Sequence, residues 1–470
     1  MEQGRRLSMA TVDVDPEALG AGHGDGEGSG RRKEEARGGV GGVVARAREN
    51  LRFRSVWGEL NGAMGDLGTY IPIVLSLALS RHLDLGTTLI FTGIYNVVTG
   101  LIYGVPMPVQ PMKSIAAAAL SDPSFAIPEI MAAGILTAAF VFFLGLTRLM
   151  KLVYWLVPLS VVRGIQLAQG LNFAMAAVKY IRYDQDLAKA KSLGTRAWTG
   201  LDGLILAIAA VCFIVLVNGA GPEAAASSQR EGEAAAREPS SWRRRLASSV
   251  PSAVMVFVLG VAFAVARQPA AVRELRVGPS RMRVVHISRE AWRQGFVKGA
   301  VPQIPLSVLN SVVAVCKLTR DLFPDDERAS PTSVSLTMGA MNLVGCWLGA
   351  MPCCHGAGGL AGQYRFGGRG GGCVAALGGL KLALGLLLGG SMLRVLLQFP
   401  VGLLGALLLF AGIELAAAAR DMSTRSEAFV MLLCTAVSLV GSSAALGFLC
   451  GIIAHALLLL RAYALRSHHA

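Results

Sequence analysis

The chain has 470 residues, 53% of them hydrophobic and only 16% charged, with 56 glycines and a mean hydropathy of +0.53. Soluble domains carry roughly 25% charged residues, so this composition excludes an ordinary soluble protein and points to a chain that crosses a membrane many times. The formal net charge of +14 does not imply nucleic acid: the basic residues fall between apolar runs, which is the orientation bias of membrane proteins, and the expected partner is the lipid bilayer.

In chain order, residues 1–54 read as a disordered cytoplasmic tail, since GHGDGEGSG at 22–30 and RRKEEARGGVGG at 31–42 cannot bury a core. No apolar stretch of signal-peptide type occurs there, and the acidic residues argue against a transit peptide. Arg46, Arg48, Arg52 and Arg54 place this end in the cytoplasm. About fourteen membrane segments follow, allowing short broken ones. The first seven are predicted at 56–80, 86–104, 110–121, 127–147, 153–177, 201–217 and 249–267, within a repeat spanning 55–267 that contains a disordered loop at 218–248. The second seven are predicted at 294–317, 332–350, 354–365, 371–390, 394–417, 427–442 and 445–463, within a repeat spanning 294–465 and followed by a short tail, 466–470. The linker 268–293 does not fit the charge rule. Arg273, Arg276, Arg281, Arg283 and Arg289 fall on the non-cytoplasmic side by this count, so either a span is miscounted nearby or the linker is a surface helix.

The two halves resemble each other. Gly93-x2-Asn96-x9-Pro106 recurs at one constant offset as Gly339-x2-Asn342-x9-Pro352, and Tyr70-Ile-Pro72 and Pro158-x11-Gly170 recur at similar offsets as Gln303-Ile-Pro305 and Pro400-x11-Gly412. An odd number of spans per half makes the repeat inverted. The fold class is therefore an all-α membrane protein of about fourteen segments in a seven-plus-seven inverted repeat, with two broken half-helices.

Those breaks carry the functional reading. In VPMPVQPMKSIAAAAL (105–120), three prolines force extended backbone before an alanine-rich helix. In MPCCHGAGGLAGQYRFGG (351–368), Pro352 ends one element, and Gly356, Gly358 and Gly359 let backbone approach closely at the start of another. Irregular backbone in a membrane is tolerated where it lines a polar cavity, and helix N-termini bind anions through free N–H groups. Two such N-termini facing each other near the midplane would hold a small anion.

Candidate substrate-binding residues follow from these positions. Lys113 and Ser114 stand in the first turn, Lys113 either balancing a dianion or snorkelling to water. Gln110 can donate to an oxyanion or satisfy a freed carbonyl. His355 can donate, switch with protonation, or be structural. Gly356, Gly358 and Gly359 offer amides or serve close helix packing. Tyr70 and Gln303 hold matching places in the two halves and face the same cavity. Asp66 is the candidate for proton coupling or gating. Glu414 is a second such candidate, although a mutual ion pair between Glu414 and Lys381 is the plainer reading. Cys353-Cys354-His355 is a poor metal set, because adjacent thiols rarely share one tetrahedral ion; neither metal nor cofactor is expected. An enzyme is not expected either, for want of a Ser/His/Asp set, HExxH or phosphate loop, and the last absence argues against ATP-driven transport.

GELNGAMGDLGTYIPIVLSLAL (58–79), YNVVTGLIYGVPMPVQPMKSIAAAAL (95–120) and GAGGLAGQYRFGGRGG (356–371) resemble the plant and algal molybdate transporter family, the branch of the sulfate permease superfamily without a STAS domain. The resemblance implies a sulfate permease/uracil permease-like fold with a core and a gate domain, and molybdate as substrate. The residues alone reach an anion transporter: sulfate, and an anion channel or sensor of the same fold, stay open. So do the choice of plasma membrane, vacuole or other endomembrane, and a monomer or a homodimer.

Overall fold

The computed structural model describes residues 40–189, 191–220, 250–324, 326, 328–441 and 443–467. Met1–Arg46 and Ala47–Ala470 form two units. Helix α1 (Val40–Asn50) replaces the irregular chain expected there: alanine and arginine favour helix, and Arg48 suits the C-terminal dipole. The expectations for residues 1–39, for 221–248 of the loop and for 468–470 lie outside the described residues.

The first half comprises α2 (Val56–Met64), α3 (Leu67–Arg81), α4 (Leu85–Tyr103), β1 (Val109–Pro111), α5 (Lys113–Ser121), α6 (Ile127–Leu146), α7 (Leu149–Leu156), α8 (Leu159–Arg182), a hairpin of β2 (Tyr183–Asp186) and β3 (Lys191–Thr195), α9 (Leu204–Asn218) and α10 (Ser252–Arg267). A five-residue helix α11 (Pro269–Arg273) opens the linker. The second half comprises α12 (Arg289–Leu322), α13 (Pro331–Gly345), β4 (Cys353–His355), α14 (Ala357–Arg365), α15 (Gly371–Leu388), α16 (Met392–Leu396), α17 (Val401–Ala417), α18 (Arg425–Val440) and α19 (Ala444–Ser467). Among the described residues, seven helices are long and apolar enough to cross a membrane, or eight counting the pair α7 and α8, bent by 90° at Val157–Pro158. The bend follows from proline, which disfavours helix at the residue before it. The other expected segments appear as shorter helices, from nine residues in α5 and α14 to sixteen in α10 and α18.

The helices pack in two groups. In one, α4 lies against α15, and α6 against α13; in the other, α8 lies against α17 and α18. The inverted repeat explains why matched glycines meet. A Cβ on Gly170 would stand 2.6 Å from Gly412 O, and one on Gly412 would stand 2.7 Å from Gly170 O. Equivalent positions that touch lie on the axis relating the halves, and only glycine lets α8 and α17 approach so closely. Within α12, Gly295–Ala300 and Ser307–Ala314 are wound as π-helix on either side of Pro302 and Pro305, so the prolines are absorbed without a kink.

The linker is not one continuous surface helix. After α11 it has no regular structure until Ser288. Gly278 N donates to Leu387 O and Val285 N to Trp347 O, each at 2.8 Å. Its Ser280 lies against Gly86 at the start of α4, whereas Asn50 Nδ2 bonds Leu101 O at the other end, 2.7 Å away. The linker arginines therefore sit at the face opposite Asn50.

Candidate functional site

The two breaks are joined to each other. β1 and β4 pair antiparallel, Val109 with His355, Gln110 with Cys354 and Pro111 with Cys353, and Met112 N donates to Pro352 O at 2.9 Å. Each strand is held by the asparagine of the repeated motif. Asn96 Oδ1 accepts from Val109 N at 2.7 Å, and Asn342 Oδ1 accepts from Cys353 N at 2.7 Å. The strands deliver the starts of α5 and α14 side by side, and neither start has a side-chain cap from its own N-cap residue. First-turn amides have no acceptor within their own helix.

Around α14, Gln110 lies across the N-terminus. A Cβ on Gly356 would collide with Gln110 Oε1, and one on Gly359 would stand 2.7 Å from Gln110 Nε2 and 3.0 Å from Asp66 Oδ1. These glycines are thus required by close approach. Gln110 does not satisfy a freed carbonyl; its side chain turns to a carboxylate. Its Nε2 donates to Asp66 Oδ1 at 2.5 Å, which leaves the second N–H. Around α5, Gln303 Oε1 accepts from Ser114 N at 2.9 Å and Gln303 Nε2 donates to Ser307 Oγ at 2.9 Å. Gln303 therefore caps the first half's short helix from the second half.

Lys113 does not snorkel to water. It is half-buried, with Nζ 3.9 Å from the Phe173 ring centroid, and among the described residues no carboxylate pairs with it. Phe173, on α8, also covers Gly358, where a Cβ would strike its ring. Nothing in an apolar span marked Phe173 in advance.

Asp66 is fully buried, and its cation is Lys381: Nζ stands 3.9 Å from Oδ2 and 3.5 Å from the Tyr70 ring centroid. This corrects the expected pair of Lys381 with Glu414. Both lie in apolar helices, but α15 presents Lys381 to α3, while Glu414 lines a separate cavity of about 380 Å³ with Arg163, Tyr364, Arg420 and Asp421. Tyr70 shares its hydroxyl with Thr92 Oγ1 at 2.8 Å, while its ring lies under Lys381 and its N–H donates to Asp66 O at 3.1 Å.

His355 is not brought to the others. Side chains alternate along a strand, so His355 projects from the face opposite Gln110. It lies edge-on to Tyr103, with Nε2 3.3 Å from Thr337 Oγ1. The structural reading fits it.

Two helix starts set side by side, a lysine with no carboxylate partner among the described residues and close-packed glycines at the start of α14 are the kinds of group that a small oxyanion requires. A family model described as "Molybdate transporter of MFS superfamily" matches residues 58–173 and 295–415, which include both breaks. The chain belongs to this molybdate transporter family. It is 61% identical over 424 residues to "Molybdate transporter 1" of Arabidopsis thaliana, covering 90% of this chain and 92% of that one. It is 55% identical to "Molybdate transporter 2" of the same plant over 419 residues, covering 88% and 90%. "Molybdate transporter 1" of Chlamydomonas reinhardtii is 37% identical over 483 residues, covering 87% and 92%.

Among solved structures, the murine Slc26a9 anion transporter in the inward-facing state superposes with a TM-score of 0.54 at 15% identity, covering 89% of this chain and 70% of that one. A second SLC26A9 structure gives 0.52 at 15% identity, covering 95% and 73%. These likenesses establish the fold: a multi-pass helical membrane protein of the inverted-repeat, sulfate permease-like type.

Proposed function

We propose that this member of the family is a secondary transporter of molybdate, with the dianion held between the N-termini of α5 and α14. The observation that carries the reading is the β1–β4 pairing, which holds the start of α5, with Lys113 in it, beside the start of α14. With Asp66 matched to Lys381, Lys113 supplies the positive charge that a buried dianion requires. The amides of Gly358 and Gly359 and the second N–H of Gln110 would donate to its oxygens, while Ser114 and Gln303 set the opposite wall. The halves 55–267 and 294–465, joined by 268–293, would supply one wall each.

Alternating access fits the way Phe173 covers the site. Phe173 lies on α8, whereas Lys113 lies on α5 and Gly358 on α14, so movement of α8 relative to these short helices would uncover the pocket. The reading makes Asp66 and Lys381 the coupling pair and Glu414 part of a mouth leading along α14. Saturable uptake of labelled molybdate by vesicles holding the full chain tests the proposal. Uptake that persists in excess sulfate supports molybdate as substrate; full competition by sulfate would assign the site to sulfate instead.

A further inference from the structure

Two of the linker arginines that break the charge rule, Arg281 and Arg283, line a cavity at the face opposite Asn50. It measures about 450 Å³, and its lining includes His82, Asp84, Ser280, Arg281 and Arg283. The linker is fixed on both sides of these arginines, at Gly278 and Val285, and also where Arg276 N donates to Ser391 Oγ at 3.3 Å. Its two acidic residues are matched: Glu274 pairs with Arg394, and Glu290 with Arg293. Arg281 and Arg283 have no ion pair among the described residues. The one carboxylate beside them, Asp84, is engaged as a helix cap, Oδ1 accepting from Thr87 N at 2.6 Å.

Two guanidiniums held at a fixed opening, against the sidedness that membrane insertion favours, call for a reason outside insertion. We propose that Arg281 and Arg283 form an outer collecting site for tetrahedral oxyanions, concentrating the dianion at the non-cytoplasmic mouth before it reaches the pocket between α5 and α14. The inference rests on the transport reading above. Exposed like charges at a cleft raise the local concentration of an oppositely charged ligand, and salt screens the effect over about 8 Å at physiological strength. Guanidinium also suits an oxyanion group through its paired N–H donors. A phospholipid headgroup presents the same chemistry, so the lipid must be controlled.

The test is initial molybdate uptake into vesicles of neutral phosphatidylcholine containing the full chain, across a series of ionic strengths. For Arg281→Gln/Arg283→Gln, the expected result is a KM about three- to tenfold higher at low salt. The two curves should converge at high salt, with Vmax unchanged. Arg281→Lys/Arg283→Lys keeps the charge and should stay closer to wild type than the Gln variant does, which separates charge from any role in folding. Superimposable curves for wild type and the Gln variant would overturn the collecting site. A difference that appears only with anionic lipid present would also overturn it, assigning the arginines to a headgroup. A wild type that takes up no oxyanion would instead sink the transport reading, and this inference with it.

Discussion

Lys381 on α15 faces Asp66 at the break between α2 and α3, 3.9 Å apart and almost wholly buried. Neither charge has another oppositely charged side chain among the described ion pairs, so the pair should behave as a unit. Breaking a buried pair from one side strands the other charge, at a cost of about 3–5 kcal/mol, while removing both is far cheaper. Lys381→Met should therefore lower the melting temperature sharply, and Asp66→Asn/Lys381→Met should recover most of the loss. Melting of the purified protein checks this; additive losses would mean the two side chains act separately.

The matched asparagines make a graded prediction. Asn96→Ala leaves the buried Val109 N–H unsatisfied, costing about 1–3 kcal/mol. Asn342 makes two further bonds, its Nδ2 donating to Met338 O at 2.8 Å and to Cys353 O at 2.6 Å. Asn342→Ala should thus destabilise more than Asn96→Ala, and both should slow uptake by loosening the strands that aim the helix starts. Equal and negligible melting shifts would contradict the assigned role.

Arg163 ties α8 to two other parts of the chain. Its guanidinium, 4% exposed, reaches Asp421 beyond α17 at 2.5 Å and Asp321 on α12 at 2.7 Å. The carboxylates are themselves more than a third exposed, so solvent screens the gain. Asp321→Asn should cost less than about 1 kcal/mol in stability. On the proposed alternating-access reading the Asp321 bond is a strut between α8 and α12, and its loss should change the maximal uptake rate several-fold. Initial rates beside melting curves decide the matter, and an unchanged rate would count against the strut.

Much of this arrangement was legible in the chain because backbone chemistry writes it locally. Pro106, Pro108 and Pro111 announce an extended segment, and Gly356, Gly358 and Gly359 announce a close approach. The recurrence of Gly93, Asn96 and Pro106 as Gly339, Asn342 and Pro352 announces that the breaks are mates. What stayed hidden depends on how helices rotate against one another. Lys381 was assigned the wrong partner because its choice between Asp66 and Glu414 is made by packing, not by sequence spacing. His355 looked equivalent to its neighbours until strand pairing placed it on the other face. Phe173 carries no local mark at all. The hairpin Tyr183–Thr195 was unseen because its polar residues read as loop.

The central claim is that molybdate sits between the starts of α5 and α14, balanced by Lys113. Equilibrium binding of labelled molybdate to the purified full chain measures it most directly, comparing wild type with Lys113→Gln at matched melting temperature. Losing that charge should weaken binding about tenfold or more, since tenfold corresponds to only about 1.4 kcal/mol. Equal affinity in the two proteins would place the anion elsewhere.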